Sequence, residues 1–112
     1  MVVGQEPLIR GADRLRVDVA GVDGNSLPGR LESYASTAHG VSLVRDGGQV
    51  TGAWMYARDL CAFLRVQTAE HKQVTGLTAY FARDYVHAAR AINKVVPTPL
   101  DLSLIETICL QE

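Results

Sequence analysis

The sequence contains no apolar run approaching the roughly 20 residues that a bilayer-spanning helix needs, so a transmembrane helix is not read anywhere in it. The first residues, MVVGQEPLIRG, lack a basic opening and an apolar h-region, so no ordinary signal peptide is read either. The expectation is a cytoplasmic protein, although a protein exported without a cleavable signal would look the same. An excess of charge of one sign is also missing. Eleven Lys and Arg stand against 12 Asp and Glu, for a net charge of −1. That balance argues against a general binder of nucleic acid or membrane surfaces and makes nucleic acid an unexpected partner. Cysteine is scarce: Cys61 and Cys109 are the only two and make no disulfide framework. Cys61 reads as a small buried hydrophobe, while a bridge to Cys109 would pin the tail onto the preceding helix.

The motifs of catalysis are missing as well. No His/Cys spacing matches a zinc site, and HExxH is absent. Gly47-Gly48 is not a phosphate loop, because it belongs to neither GxGxxG nor a run ending in GK[ST]. Ser36, His39 and Asp46 are near one another in the chain, but no nucleophile elbow accompanies them. Asp59, Glu70 and Asp84 are isolated carboxylates, which gives paired-acid chemistry no support. The expectation is a non-enzymatic protein with no metal and no cofactor.

What is present is length without breakers. Residues 52–94 contain no proline and one internal glycine, Gly76. Leu60, Phe63, Leu64, Gln67, His71, Val74, Leu77, Phe81, Tyr85, Ala88 and Ile92 recur in steps of three and four. That spacing predicts one long helix over 52–94 with a single buried stripe. Leu60, Phe63, Leu64, Val74, Leu77 and Phe81 are its expected interface, at roughly 1.5–3 kcal/mol per large side chain. Gln67 and His71 would form a polar layer that sets register. A stripe of this length needs an antiparallel partner, from this chain or from another in a homo- or hetero-oligomer. Thr51 is a candidate N-cap, Thr75-Gly76 is the weak point, and Pro97 and Pro99 end the helix.

The rest of the chain, read as one small domain of 112 residues with a frayed start at 1–10, gives mixed signals. Leu15, Val17 and Val19 alternate as in a strand, whereas Leu8, Ala12, Leu15, Val19 and Val22 suit a helix. Gly21 to Gly29 is a cluster of breakers. Leu31, Tyr34, Ala35 and Ala38 repeat at helical spacing up to His39-Gly40. Asp46-Gly47-Gly48 between apolar runs predicts either a short β-hairpin over 41–50 or a connection between helices. Leu100, Leu104, Ile105 and Ile108 predict a short C-terminal helix, with Thr98 as cap and Pro99 at its first position. A turn at Val74 to Thr78 between two helices would suit a helix-turn-helix. The aromatic crowding that follows and the slightly acidic chain count against that.

One surface pair stands out on the predicted helix. Tyr80 and Asp84 lie at i and i+4 and would share a face. The segment from Tyr80 to Ile92, closing a long second helix, resembles the end of EspC-like type VII secretion substrates of actinobacteria, relatives of the WXG proteins. Leu15 to Ala20 resembles the "V-D-x-x" start of that family's first helix, and Ala38-His39-Gly40 resembles its inter-helix step. The likeness covers about residues 13–94. It departs from the pattern at Gly21 to Gly29, at Pro28, in the missing W-x-G turn (Trp54 follows Gly52 in reversed order) and in the tail from Val95. The resemblance implies a mainly α fold, an antiparallel helical hairpin, and export to the outside or cell surface by the type VII machinery. It implies that Tyr80 and Asp84 are part of the export signal. The alternative is a small α+β module, a hairpin over 41–50 packed on a helix, acting as a cytoplasmic regulator or a nucleic-acid binder.

Overall fold

The computed structural model describes residues 9–20, 27–91 and 97–110, with the side chains of Ile108 and Leu110 excepted. Residues 1–8 of the start expected to fray, the breaker residues 21–26 and the last helical positions from Ile92 to Lys94 lie outside the described residues, whereas Arg10 is held in a turn by Asp13. The elements are β1 (Arg14–Val19), α1 (Leu27–Ala35), β2 (Ser42–Asp46), β3 (Gln49–Tyr56), α2 (Ala57–Ala69), β4 (Leu77–Phe81), α3 (Ala82–Arg90) and α4 (Leu102–Leu110). The strands form one sheet in the order β2-β3-β1-β4, every neighbouring pair antiparallel. Each β-α-β half is split by a strand of the other half: β3 lies between β1 and β2, and β1 lies between β3 and β4.

The protein is therefore α+β, and the expected helical hairpin is overturned by this sheet. The predicted helix over 52–94 divides into the second half of β3, α2, a turn, β4 and α3. Two backbone features impose the division. His71 has φ of 58°, in the left-handed region, immediately after α2. Its N–H reaches the Thr68 carbonyl at 3.0 Å and the Lys72 N–H reaches that of Gln67 at 2.8 Å, which closes the helix as a Schellman motif. Gly76 has φ of 94° and starts β4. Beyond it the period is two, not 3.6: Leu77 and Ala79 are buried on one face, with Phe81 half-buried beside them. Leu77 and Phe81 thus belong to a strand, and Val74 to the turn before it.

The conflict at 14–19 resolves as a strand because Leu15, Val17 and Val19 all enter the core. The hairpin at 41–50 forms and extends to Tyr56. Gly47 and Gly48 both have positive φ, 63° and 91°, as a two-residue type I′ turn requires. Val44 pairs with Gly52 while Arg45 pairs with Val50, so Thr51 is the extra residue of a bulge rather than a helix cap. Pro28, expected to kink a longer helix, sits in the first turn of α1, where its missing N–H costs nothing.

One face of the sheet meets α1 and α2. Leu15, Val17, Ala53, Met55, Leu77 and Ala79 pack there with Leu27, Leu31, Leu60, Phe63 and Leu64. Tyr34 stands edge-on to Phe63 at 5.7 Å. Gln67, the one buried polar residue among those described, accepts a hydrogen bond from Arg30 at 2.5 Å. It is satisfied by α1, and His71 is exposed, so the expected Gln67–His71 layer does not exist. In the tail, Leu100 N–H donates to the Ala79 carbonyl at 2.7 Å, which covers part of the outer edge of β4. Asp101, not Thr98, caps α4 by accepting from Ser103 N–H at 2.9 Å. α4 docks on α2 through Ile105 and Cys109, and Cys109 is disulfide-bonded to Cys61.

Candidate functional site: the second face of the sheet

Strand alternation sends Arg14, Arg16 and Asp18 away from the core. In register with them the second face carries a row that crosses every strand: Ser42 on β2, Trp54 on β3, Arg16 on β1 and Tyr80 on β4. The next row holds Val44, Gly52, Asp18 and Thr78. Past the other side of the first row, Tyr56 pairs with Arg14. α3 packs on β1 and β4 and lowers one aromatic side chain, Tyr85, onto this face.

Arg16 is the centre of the row. Its guanidinium carbon lies 4.9 Å from the Trp54 centroid and 4.6 Å from that of Tyr85, within the range of cation–π attraction. Its Nε is 2.9 Å from Asp18 Oδ1, and its side chain is 11 % exposed. Trp54 and Tyr85 meet edge-on at 5.7 Å, and Tyr80 and Tyr85 pack tilted at 5.4 Å. Trp54, Tyr80 and Tyr85 are half-buried. Burial pushes the Tyr80 phenol above its ordinary value, the nearby Asp18 carboxylate and Tyr85 adding to this. Arg14 and Arg58 both lie over the Tyr56 ring, at 5.0 and 4.7 Å. Gly52 makes the row possible. A Cβ there would run into the Val17 carbonyl oxygen and stand 3.0 Å from Asp18 Oδ1.

This arrangement can stack flat groups. Ser36 gives its hydroxyl to the Ser33 carbonyl at 2.7 Å and is not poised on His39. Asp59 serves Tyr34 and the Tyr56 N–H; burial, with the Asp59 carboxylate next in weight, pushes the Tyr34 phenol up. Among the described residues no three His, Cys, Asp or Glu side chains are grouped to hold a metal ion. No helix is long and apolar enough to cross a membrane among them either.

The structure separates the expected export pair in kind. Tyr80 is on β4 within the aromatic row, and Asp84 is exposed in the first turn of α3, so the two do not share one helical face. Leu60, Phe63, Leu64 and Leu77 do meet, in a sheet–helix core that Val74 and Phe81 pack against. Arg16, Trp54 and Tyr85, which make the site, were not singled out by sequence reasoning as a surface. The alternation of β1 was the available signal, since it placed Arg16 opposite Leu15 and Val17. No family model matches the chain, and no curated protein or solved structure does.

Proposed function

We propose that the protein is a non-enzymatic binding module whose second sheet face takes single-stranded nucleic acid. The observation that carries this reading is the half-buried row of Trp54, Tyr80 and Tyr85 gathered around Arg16. Four-stranded sheets that offer aromatic rings to unstacked bases are a recurrent way of holding single-stranded RNA. Such stacking is worth about 1–3 kcal/mol per base and tolerates any sequence. The overall charge balance spoke against a general nucleic-acid binder, but Arg14 and Arg58 lie over Tyr56 at one end of this face, and Arg10 and Arg83 line a cleft with Arg14 and Asp13. Trp54 is the sole tryptophan, so its emission reports the site directly. Titrating single-stranded oligonucleotides at low salt should quench Trp54, and added salt should weaken the effect as counterion release requires. Trp54→Phe should keep part of the affinity and Trp54→Ala should lose most of it. An emission unmoved by any oligonucleotide at low salt overturns the reading.

A second reading concerns where the protein works, and the Cys61–Cys109 bridge favours it. Disulfides persist in oxidising compartments and are rare in the cytosol, which suits export by a route that reads no cleavable signal. In that reading Tyr80 and Asp84 serve as the type VII signal, presented across a strand–helix junction. Asp84→Ala is exposed and should leave the fold intact while abolishing export. Normal secretion of that variant removes the reading.

A further inference from the structure

Beside Arg14, at the start of β1, a cleft of about 370 Å³ is lined by Arg10, Asp13, Arg14, Phe81 and Arg83. Three arginines and one carboxylate line it, and that carboxylate is already engaged: Asp13 accepts the Arg10 backbone N–H at 2.7 Å. The turn it closes is pinned to the start of α2. Ala57 N–H donates to the Asp13 carbonyl at 2.8 Å, and Arg58 N–H donates to that of Gly11 at 3.1 Å. Arg10 is therefore carried on a built turn rather than on a loose end. The guanidinium groups of Arg10 and Arg83 make no hydrogen bond or ion pair among the described residues. Arg83 stands in the first turn of α3, where the helix dipole disfavours a cation. An anion between these groups would relieve that cost and supply the missing partners. Arginine forks match the geometry of phosphate oxygens.

We propose that this cleft is a phosphate subsite and that it holds a backbone phosphate of a strand lying across the sheet. The second half of the proposal rests on the reading of the sheet face given above. The connection is Arg14, which lines the cleft and sits two residues before Arg16 on the same face of β1.

The test uses the full chain and two probes. Inorganic phosphate is titrated in low-salt buffer while amide NMR shifts are followed, and a single-stranded oligonucleotide is titrated across a salt series. Phosphate should move the amides of Arg10, Asp13, Arg14 and Arg83 selectively, and Arg10→Gln combined with Arg83→Gln should remove the response. Both side chains are exposed, so the variants keep the fold, which unchanged shifts elsewhere will verify. Each single variant should reduce the salt slope of oligonucleotide binding by about one without changing the Trp54 quenching amplitude. Phosphate shifts absent from the cleft, or spread evenly over the surface, overturn the subsite whatever the oligonucleotide does. A cleft response with no Trp54 response to any oligonucleotide upholds a subsite for free phosphate esters and removes the sheet-face reading. A salt slope unchanged in both variants overturns the placement of the strand's phosphate here.

Discussion

The ring of Tyr85 stands edge-on against that of Trp54, with centroids 5.7 Å apart and planes at 88°. α3 has no fully buried residue of its own, and this contact, with Arg16 and Tyr80 beside it, joins the helix to the sheet. An aromatic pair contributes about 0.5–1.5 kcal/mol beyond its area, and a cation–π contact about 0.5–2, the upper end applying where the cation is largely buried. Tyr85→Ala should therefore lower stability by about 1–3 kcal/mol and release α3 from the face. Trp54 emission should shift to the red while the strand signal in circular dichroism persists. Unchanged emission would mean that α3 is held by something else.

Gly52 is the other support of the row. It pairs with Asp18 across β3 and β1, and a side chain there would meet the Val17 carbonyl, Asp18 Oδ1 at 3.0 Å and Arg16 Nε at 3.4 Å. The backbone oxygen cannot retreat without opening the ladder, so Gly52→Ala should cost about 1–3 kcal/mol, in the range of overpacked sites. The displaced Asp18 should also loosen Arg16 beneath Trp54. A urea midpoint equal to that of the parent protein would refute the close approach.

The sequence misled at β3 for a reason that can be named. The expected stripe begins at Leu60, and the breaker-free run upstream is joined to its helix from residue 52; in the structure Val50, Ala53, Ala57, Leu60, Leu64 and Gln67 are all buried at steps of three and four. The first two lie on a strand whose parity is shifted by the bulge at Thr51. From Ala57 to Ala69 the helical reading holds, because the stripe of Leu60, Phe63, Leu64 and Gln67 really is a helix face. It fails after Ala69 because the break is made by His71, a residue with no helix-stopping reputation. The Gly47-Gly48 turn was legible as one of two connections, and the C-terminal helix was legible as an element although its start lies at Leu102 rather than Pro99. The candidate site was not, since Arg16, Trp54, Tyr80 and Tyr85 come from β1, β3, β4 and α3 and only strand pairing assembles them.

His71 offers a direct test of that break. An L-residue in the left-handed region carries a cost of roughly 1–2 kcal/mol. Glycine avoids it but loses roughly 0.5–1 kcal/mol through greater freedom in the unfolded chain. The exposed His71 side chain has little packing to forfeit, so His71→Gly should stabilise the protein by up to about 1 kcal/mol, read as a higher urea midpoint at unchanged slope. A loss of stability would show that the imidazole makes a contact that matters.

The bridge between Cys61 and Cys109 joins α2 to α4 across 48 residues, and its worth depends on what α4 could do without it. Closing a loop of that length restricts the unfolded chain by about 4 kcal/mol in the chain-entropy account, with 2–4 the usual measured range. Ile105 and Cys109 are buried against the core, and Arg65 holds the Cys109 carbonyl at 3.2 Å. α4 therefore has native contacts that survive reduction, but few of them. Reduction should lower the denaturation free energy by about 2–4 kcal/mol and free α4 first, leaving the sheet and the Trp54 signal in place. Denaturation with and without reductant, with thiol labelling of both samples, reads all of this. Free thiols in the untreated protein would mean that no bridge forms. A Trp54 signal that collapses together with α4 would mean that the tail supports the sheet as a whole rather than α2 alone.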